Sequence, residues 1–392
     1  MTPARRLLHH RLDGPDGAPP LILGPSLGTS LALWEPQLTA LARHYRVLRY
    51  DLPGHGASPA ATLPDPRPGR TTVDDLARLA LDLADHHGWQ TFHYAGVSLG
   101  GAIGAHLAVR HPRRLASLAL VCSSARFGEP TAWHERAALV RERGTRPLLD
   151  TAPPRWFAAP ATAITLAGKA LLADLAGTDP AAYAACCDAL ATYDLRAALP
   201  RIRTRTLVVA GRQDPATPPA HARELADAIP HAGLTEIAGA AHLAGIDAPA
   251  PVTTALLAHL DAGRADRYDA GTTVRREVLG DAHVDRANAR TSPLTAAFQD
   301  LITRYAWGEI WTRPGLDRRT RSCITLTALV AHGHHDELAL HIRAALTNGL
   351  TPEEIGEVLL QSAVYCGVPA ANTAFAIAQR FLGDEVGRSS ER

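Results

Sequence analysis

A serine flanked by glycines stands between an apolar run and a helical stretch, in the sequence Gly96-Val97-Ser98-Leu99-Gly100. The run Phe92–Ala95 before it predicts a strand, and the stretch Ala102–Arg110 after it predicts a helix. A sharp strand-to-helix turn exposes a serine hydroxyl at the edge of a parallel sheet, and flanking glycines let neighbouring backbone approach closely. The turn therefore predicts a nucleophilic serine on a sheet of the α/β class.

Apolar runs alternate with helical stretches over roughly the first 260 residues. The runs predicted as strands are Leu21–Leu23, Tyr45–Tyr50, Phe92–Ala95, Leu118–Val121, Leu207–Ala210 and Leu234–Ile237. This alternation predicts a mostly parallel sheet with helices on both faces. The stretch from about 125 to 199 has no predicted strand, and it predicts a helical cap above the carboxyl ends of the strands.

A serine hydroxyl becomes a nucleophile when a histidine takes its proton and an acid holds that histidine. Asp214 and His242 each follow a late predicted strand, and the chain order of serine, acid and histidine is the one expected on such a sheet. Asp247 is a rival acid, but it follows His242 too closely to reach the ring from the required side. The sequence therefore predicts Ser98, Asp214 and His242 as the catalytic residues.

An oxyanion formed at Ser98 needs two backbone N–H donors. One is expected from Leu99, directly after the nucleophile. The other is expected from Leu27, in the loop that follows the first predicted strand. In the loop 51–58, His55 is predicted to be a structural hydrogen-bonding residue rather than a catalytic one.

Together these residues resemble the α/β-hydrolase superfamily and, within it, the 3-oxoadipate enol-lactonases. The matching positions are Leu23–Thr29, Trp34, Asp51–Ser58, Gly96–Gly101, Asp214 and His242. Ser26-Leu27-Gly28-Thr29 matches the lactonases, whereas Pro25 departs from their usual asparagine. The resemblance covers roughly Pro19 to Leu260 and implies hydrolysis of an ester or lactone without a cofactor.

Beyond residue 262 the sequence pattern changes. Small and polar residues predict a linker at 263–271 between an α/β-hydrolase domain at 1–262, with its cap at about 125–199, and an all-α domain at 272–392. Helices are predicted over Pro293–Ala306, Arg318–His332, Asp336–Asn348, Pro352–Val364 and Ala370–Leu382. Thr351 is a helix start signal, and Asn348-Gly349 is a stop signal for the preceding helix.

The second domain resembles 4-carboxymuconolactone decarboxylases over nearly its whole length. The matching segments are Glu309–Trp311, Arg313–Arg321, Glu337–His341, Gly349–Glu354 and Tyr365–Pro369. The related alkyl hydroperoxidase D-like proteins use a Cys-x-x-Cys pair, which this sequence lacks, so thiol peroxidase activity is disfavoured.

The chemistry implied by this second resemblance requires binding of carboxylates, stabilisation of an oxyanion and supply of a proton. His341 is the first choice for acid or oxyanion donor. The candidate anion-binding side chains are Arg313, Arg318, Arg319 and Arg321, because a guanidinium binds a carboxylate through two hydrogen bonds. The second choices, for which core packing or a structural hydrogen bond is an equal alternative, are Glu309, Tyr365 and Cys366.

The two resemblances imply consecutive reactions in the protocatechuate branch of the 3-oxoadipate pathway. Decarboxylation of 4-carboxymuconolactone yields 3-oxoadipate enol-lactone, and hydrolysis of that lactone yields 3-oxoadipate. A bifunctional enzyme is therefore expected. The alternative is a serine esterase or perhydrolase of other specificity, with the second domain as a non-catalytic helical oligomerisation module.

Composition limits the partners. With 40 Lys and Arg against 39 Asp and Glu, the charge of +1 gives no electrostatic reason to bind nucleic acid or an anionic membrane. The start of the sequence lacks the apolar core of a signal peptide, so a cytoplasmic location is expected. The five cysteines lack regular spacing, which argues against a disulfide scaffold, and no metal is expected at His332, His334 and His335, which predict a solvated turn.

Apolar faces on the predicted C-terminal helices suggest self-association. Their residues include Ile324, Leu326, Leu329, Val330, Ile355, Val358, Leu359 and Val364. A small helical domain with such faces is expected to bury them against copies of itself. The resembled decarboxylases assemble as trimers or hexamers, so a homo-oligomer is expected.

Overall fold

The computed structural model describes residues 7–65 and 67–389, without the side chains of 263–266 and 383–389. It forms two compact units, Met1–Leu260 and Asp261–Arg392. None of the helices in the described ranges combines the length and apolar character that crossing a membrane requires.

The first unit is built on a twisted, mostly parallel sheet of seven strands in the described part of the chain. The strands are β1 (His10–Asp13), β2 (Pro20–Gly24), β3 (Arg46–Tyr50), β4 (Phe92–Val97), β5 (Leu115–Val121), β6 (Thr206–Gly211) and β7 (Gly233–Ile237). Their spatial order is β1-β3-β2-β4-β5-β6-β7, and β1 pairs antiparallel with β3 at the edge. The predicted mostly parallel sheet is confirmed. Strand β1 was missed because Leu12 is its one apolar residue.

Helices cover this sheet. They are α1 (Glu35–Leu41), α2 (Val73–His86), α3 (Leu99–Arg110), α4 (Pro130–Arg143), α5 (Ala152–Trp156), α6 (Pro160–Ala163), α7 (Leu166–Gly177), α8 (Pro180–Ala191), α9 (Pro219–Ala228), α10 (Ala244–Asp247) and α11 (Pro249–Leu279). Helix α2 begins at a capping box between Thr72 and Asp75 and buries Leu76, Ala80 and Leu83 on one face.

The predicted cap consists of α4 to α8 together with two 3₁₀ turns, Arg146–Asp150 and Arg196–Arg201. Within 125–199, which the structure describes throughout, the only β pairing is an isolated bridge between Arg126 and Asp194. The expectation of a helical cap without a strand is therefore confirmed.

The second unit is helical. After α11 come α12 (Asp281–Ala289), α13 (Ala296–Ile302), a π-helix (Thr303–Ile310), α14 (Arg318–His332), α15 (His335–Thr347), α16 (Pro352–Cys366) and α17 (Val368–Ser389). Helix α11 continues through 263–271, so the residues expected to form a linker are helical. Ala, Arg and Asp are compatible with a helix, and small polar residues alone do not break one.

The core of the second unit uses part of the apolar surface expected for self-association. Leu326, Val330, Ile355 and Leu359 are buried in this core, so they are not available to a partner. Thr351 and Glu354 form a capping box at the start of α16, as the start signal predicts.

Candidate active site

Ser98 occupies the turn between β4 and α3 with a positive φ of 55°, which is rare for a residue with a side chain. Its backbone N–H donates to the carbonyl of Val121 at 3.0 Å. A Cβ on Gly96 would lie 2.2 Å from backbone atoms of Gly100, so both glycines are required by the close approach of strand and helix. The turn therefore presents the Ser98 side chain at the carboxyl edge of the sheet.

The side chains of Asp214 and His242 meet at the same edge. Asp214 follows β6, His242 follows β7, and Oδ2 of Asp214 lies 2.9 Å from Nδ1 of His242. Both side chains are buried, and His242 lines the same cavity as Ser98. The structure thus brings the three residues to one place.

Asp214 is held as a carboxylate. Its Oδ1 accepts hydrogen bonds from the backbone N–H groups of Ala216 and Thr217, at 2.7 and 3.0 Å, and its Oδ2 accepts one from the Thr217 hydroxyl at 2.7 Å. Burial by itself raises the pKa of Asp214, but the charge of His242 and these hydrogen bonds outweigh it and lower the pKa below its usual range. An ionised Asp214 fixes the orientation of the His242 ring.

Asp247 accepts hydrogen bonds from backbone N–H groups rather than from the His242 ring. Its Oδ2 accepts hydrogen bonds from the N–H groups of Ala241 and Ala158, each at 2.9 Å. It therefore ties the loop that carries His242 to the cap.

The two predicted oxyanion donors come from two different segments, the start of α3 and the loop after β2. Leu99 is the first residue of α3, and N–H groups at a helix start have no partner within the helix. Leu27 and Ser26 line the cavity, and the N–H of Thr29 donates to the Ser26 carbonyl at 3.2 Å to close the loop.

His55 is not among the residues that line the Ser98 cavity. It is fully buried, and its Nδ1 lies 2.8 Å from the Pro53 carbonyl oxygen. Burial lowers the pKa of His55 to about 4, so the ring is uncharged at neutral pH. These contacts fit the structural role expected from the sequence.

The cavity in front of Ser98 has about 430 Å³ of space between atoms, part of it open to solvent, and residues of the cap line it. Its cap residues are aromatic or basic: Phe127, Trp133, Arg136, Arg155, Trp156 and Tyr183. The Arg136 guanidinium lies 5.4 Å from the centre of the Trp133 ring. This wall combines apolar surface with positive charge.

Neither cavity arginine is neutralised by the protein. Within the described residues, no carboxylate lies at ion-pair distance from the guanidinium of Arg136 or Arg155. Burial, and then the charge of Arg136, lowers the pKa of Arg155. Two facing cations in a partly buried cavity attract an anion.

In the second unit, His341 lies on α15. Burial, followed by the charge of His283, lowers its pKa, while Glu337 opposes these effects. Glu309 is half-exposed and pairs with Arg267 at 3.4 Å. Across the described residues, no hydrogen bond or ion pair joins His341 to the other predicted decarboxylase residues.

The predicted anion-binding arginines at the start of α14 already have partners. Arg318 pairs with Glu277, and Arg319 pairs with Glu354. Arg321 donates to the carbonyl groups of Arg313 and Leu316, at 2.8 and 3.2 Å.

The remaining candidates, Tyr365 and Cys366, lie at the end of α16. Tyr365 is 78% exposed, whereas Cys366 packs partly against the core of its unit. Within the described residues, neither the Tyr365 nor the Cys366 side chain has a recorded contact with His341.

Sequence reasoning missed Arg136 and Arg155 in the cap and Arg275 in α11. A signal existed for Arg275, because it lies on the same helical stripe as the buried Gly271 and Val278. The cap arginines had no such signal, since only the tertiary fold brings them to the Ser98 cavity.

Comparisons with known proteins divide the chain into the same two units. A family model described as the alpha/beta hydrolase fold matches residues 19–155 and 173–249. A model of the carboxymuconolactone decarboxylase family matches residues 296–380.

Individual relatives match each unit. 3-oxoadipate enol-lactonase 2 of Acinetobacter baylyi is 36% identical over 248 residues, which cover 62% of this chain and 88% of the relative. 4-carboxymuconolactone decarboxylase of the same species is 45% identical over 118 residues, which cover 30% of this chain and 88% of the relative. The crystal structure of the enol-lactonase from Burkholderia xenovorans LB400 matches with a TM-score of 0.61 and 37% identity, covering 64% of this chain and 96% of that chain.

Proposed function

Because the chain belongs to the α/β-hydrolase fold family through its first unit and to the carboxymuconolactone decarboxylase family through its second, we propose that it catalyses two consecutive reactions. The second unit decarboxylates 4-carboxymuconolactone to 3-oxoadipate enol-lactone. The first unit hydrolyses that lactone to 3-oxoadipate. Both steps belong to the protocatechuate branch of the 3-oxoadipate pathway, and neither needs a cofactor.

The observation that carries the hydrolase assignment is the pair of cap arginines that line the same cavity as the nucleophile. Arg136 and Arg155 face the cavity that Ser98 and His242 also line. A lactone that carries a carboxylate matches both sides of this cavity: its ring carbonyl reaches the serine, and its carboxylate neutralises the arginines. A neutral ester would leave both cations unpaired, which disfavours a general esterase or perhydrolase.

The hydrolysis follows from these positions. His242 takes the proton of Ser98 as the serine oxygen attacks the lactone carbonyl carbon, and Asp214 stabilises the histidinium. The backbone N–H groups of Leu27 and Leu99 stabilise the tetrahedral oxyanion. Collapse of this intermediate breaks the ring C–O bond, and the His242 cation gives its proton to the departing oxygen, which leaves as an enol that becomes the ketone. Water, activated by His242, then releases the acyl group from Ser98.

Decarboxylation in the second unit uses the electronic structure of its substrate. The departing carboxylate is attached to a ring carbon conjugated through a double bond to the lactone carbonyl. When the C–C bond to the carboxylate breaks, its electron pair moves into that carbonyl and CO₂ leaves. His341 donates the proton that the α carbon then takes up.

We also propose that the second unit associates with copies of itself as a trimer or hexamer. Exposed apolar side chains on α14, α16 and α17 support this, namely Ile324, Leu360, Val364 and Val368. We assign the cytoplasm as the compartment, because all five cysteines are free thiols and the reducing cytosol maintains that state.

The test is to supply purified protein with 4-carboxymuconolactone and to follow CO₂ release and lactone loss separately. Both signals are expected, with CO₂ release preceding ring opening. Lactone loss from added enol-lactone without CO₂ release from carboxymuconolactone would leave the first unit as a lactonase and contradict the decarboxylase assignment.

A further inference from the structure

Arg275 on α11 is a buried cation that has no counterion among the described residues. Only 6% of its surface is exposed. Its Nη1 donates to Oε1 of Gln299 at 3.2 Å and to the Thr303 hydroxyl at 3.3 Å, and both partners are uncharged. Its Nε is buried and has no partner, and among the residues described no carboxylate pairs with this guanidinium.

Arg276, the next residue, differs from Arg275 because it is paired with carboxylates. Arg276 is partly exposed, and its guanidinium pairs with Asp281 at 3.0 Å and with Asp285 at 2.7 Å. Acidic side chains are thus available nearby, yet they pair with the exposed arginine rather than the buried one. A buried charge that lacks a partner is strongly unfavourable. Retention of such a charge points to an anion supplied from outside the chain.

His283 interacts electrostatically with Arg275, and His341 interacts with His283. Burial, and then the charges of Arg275, Arg286 and Arg343, lowers the pKa of His283 on α12. His283 in turn contributes to the lowered pKa of His341 on α15. The lowered pKa favours the uncharged His283 ring, which can donate a hydrogen bond to an anion without competing for a counterion.

Close approach of two segments positions these groups. A Cβ on Gly271 of α11 would lie 2.1 Å from the Thr303 carbonyl oxygen, and a Cβ on Gly308 would lie 2.1 Å from the Arg267 carbonyl oxygen. The glycines therefore let α11 and the π-helix Thr303–Ile310 pack backbone to backbone, which brings Thr303 to Arg275. π-Helices are rare and occur frequently at functional sites.

We propose that Arg275, with His283 as a neighbouring hydrogen-bond donor, forms the carboxylate-binding site of the second unit and holds the carboxylate that the lactone retains. The inference rests on the proposed decarboxylase function. An ion pair to the departing carboxylate would stabilise the ground state more than the transition state, because that charge leaves the group as CO₂ forms. The retained carboxylate keeps its charge throughout. Arg275 and His283 both precede residues 296–380, which match the family model.

The test compares Arg275→Ala, Arg275→Lys and the matched control Arg276→Ala. Decarboxylation of 4-carboxymuconolactone should show a KM raised about ten- to a hundredfold in Arg275→Ala, as expected for loss of a charged hydrogen bond. Arg275→Lys keeps the charge but not the planar fork, so its KM should be intermediate. Arg276→Ala should keep a KM within about twofold of the original. Millimolar guanidinium ion should restore turnover of Arg275→Ala, since it fits the space left by the side chain.

Several outcomes would overturn the inference. An unchanged KM in Arg275→Ala does so while leaving the decarboxylase function intact. A folding defect in Arg275→Ala, seen by circular dichroism, would also overturn the inference if Arg275→Lys is folded and has the KM of the unsubstituted protein. If the unsubstituted protein does not decarboxylate carboxymuconolactone, the proposed function fails. Glutarate then replaces the lactone as the probe of anion binding. A glutarate-induced rise in melting temperature that Arg275→Lys reduces would still support the anion site, and no rise would overturn it.

Discussion

The carboxylate of Asp214 lies 2.9 Å from Nδ1 of His242, although 28 residues separate them in sequence. The strands β6 and β7 are parallel neighbours, so their carboxyl ends lie side by side and the loops that follow them meet. The Thr217 hydroxyl donates to the same carboxylate oxygen and prevents the carboxylate from turning away from the ring. The pair therefore works as one unit in which the acid fixes the base.

We expect Asp214→Asn to remain folded and to lower kcat for lactone hydrolysis by about 10⁴-fold, because an amide cannot stabilise the histidinium. Steady-state kinetics with 3-oxoadipate enol-lactone measure this. Asp247→Asn is the matched control, since Asp247 binds backbone N–H groups instead of His242, and its kcat should fall far less. Equal losses in the two variants would contradict the assigned acid.

Ser98→Ala should abolish lactone hydrolysis and leave decarboxylation unchanged. The nucleophile is in the first unit, whereas every decarboxylase candidate is in the second. With carboxymuconolactone as substrate, the variant should release CO₂ and accumulate the enol-lactone, which absorbance or NMR can follow. Loss of both activities in a folded variant would show that the two sites are not independent.

Arg155→Met should raise KM for the carboxylated lactone about ten- to a hundredfold, because a charged hydrogen bond is lost while the alkyl length is kept. Hydrolysis of p-nitrophenyl acetate, which has no carboxylate, should change little. Arg143→Met, at the exposed end of α4, serves as the control for removing a cap charge. A parallel loss with both substrates would mean that Arg155 supports the cap rather than the substrate.

His55 should make the stability of the first unit depend on pH between about 6.5 and about 4. Burial lowers its folded-state pKa to about 4, so the unfolded chain takes up a proton in this window that the folded chain does not. Stability is thus complete above the window and falls as the pH falls through it, by up to about 1.4 kcal/mol per pH unit. Urea unfolding should show a flatter pH dependence for His55→Asn. An equally steep decline would assign the effect to other groups, such as His259.

A chain that ends after Leu260 should be an active, monomeric lactonase. Leu256 and Leu260 complete the apolar core of the first unit, and the exposed apolar residues proposed for self-association lie in the second. Light scattering at micromolar concentration should give a monomer for this piece and an oligomer for the intact chain. A monomeric intact chain would contradict the proposed assembly.

Patterns local in sequence predicted most of the fold. Helix α14 has the predicted bounds, because caps and apolar periodicity act within a few residues. The continuation of α11 through 263–271 was not predicted, since polar composition is equally compatible with a helix or a linker. The π-helix was missed for a related reason: it depends on the backbone approach of Gly271 and Gly308, which is tertiary.

The residues of the candidate site also differ in whether local sequence or only tertiary contacts reveal them. Ser98, Asp214 and His242 follow strand ends, so parallel topology alone brings them to one edge. Arg136 and Arg155 lie on helices of the cap, and nothing local distinguishes them from solvated arginines. The pairing of Arg318 and Arg319 with glutamates likewise requires contacts 41 and 35 residues away in sequence.

The backbone of Ser98, with φ at 55° and ψ at −113°, has a consequence for the engineering of this protein. A side chain in such a conformation costs about 1–3 kcal/mol, whereas glycine adopts a positive φ freely. Selection for heat resistance alone would therefore favour replacing the nucleophile. Thermostabilised versions are best sought under a joint screen for ring opening, with position 98 excluded from the library.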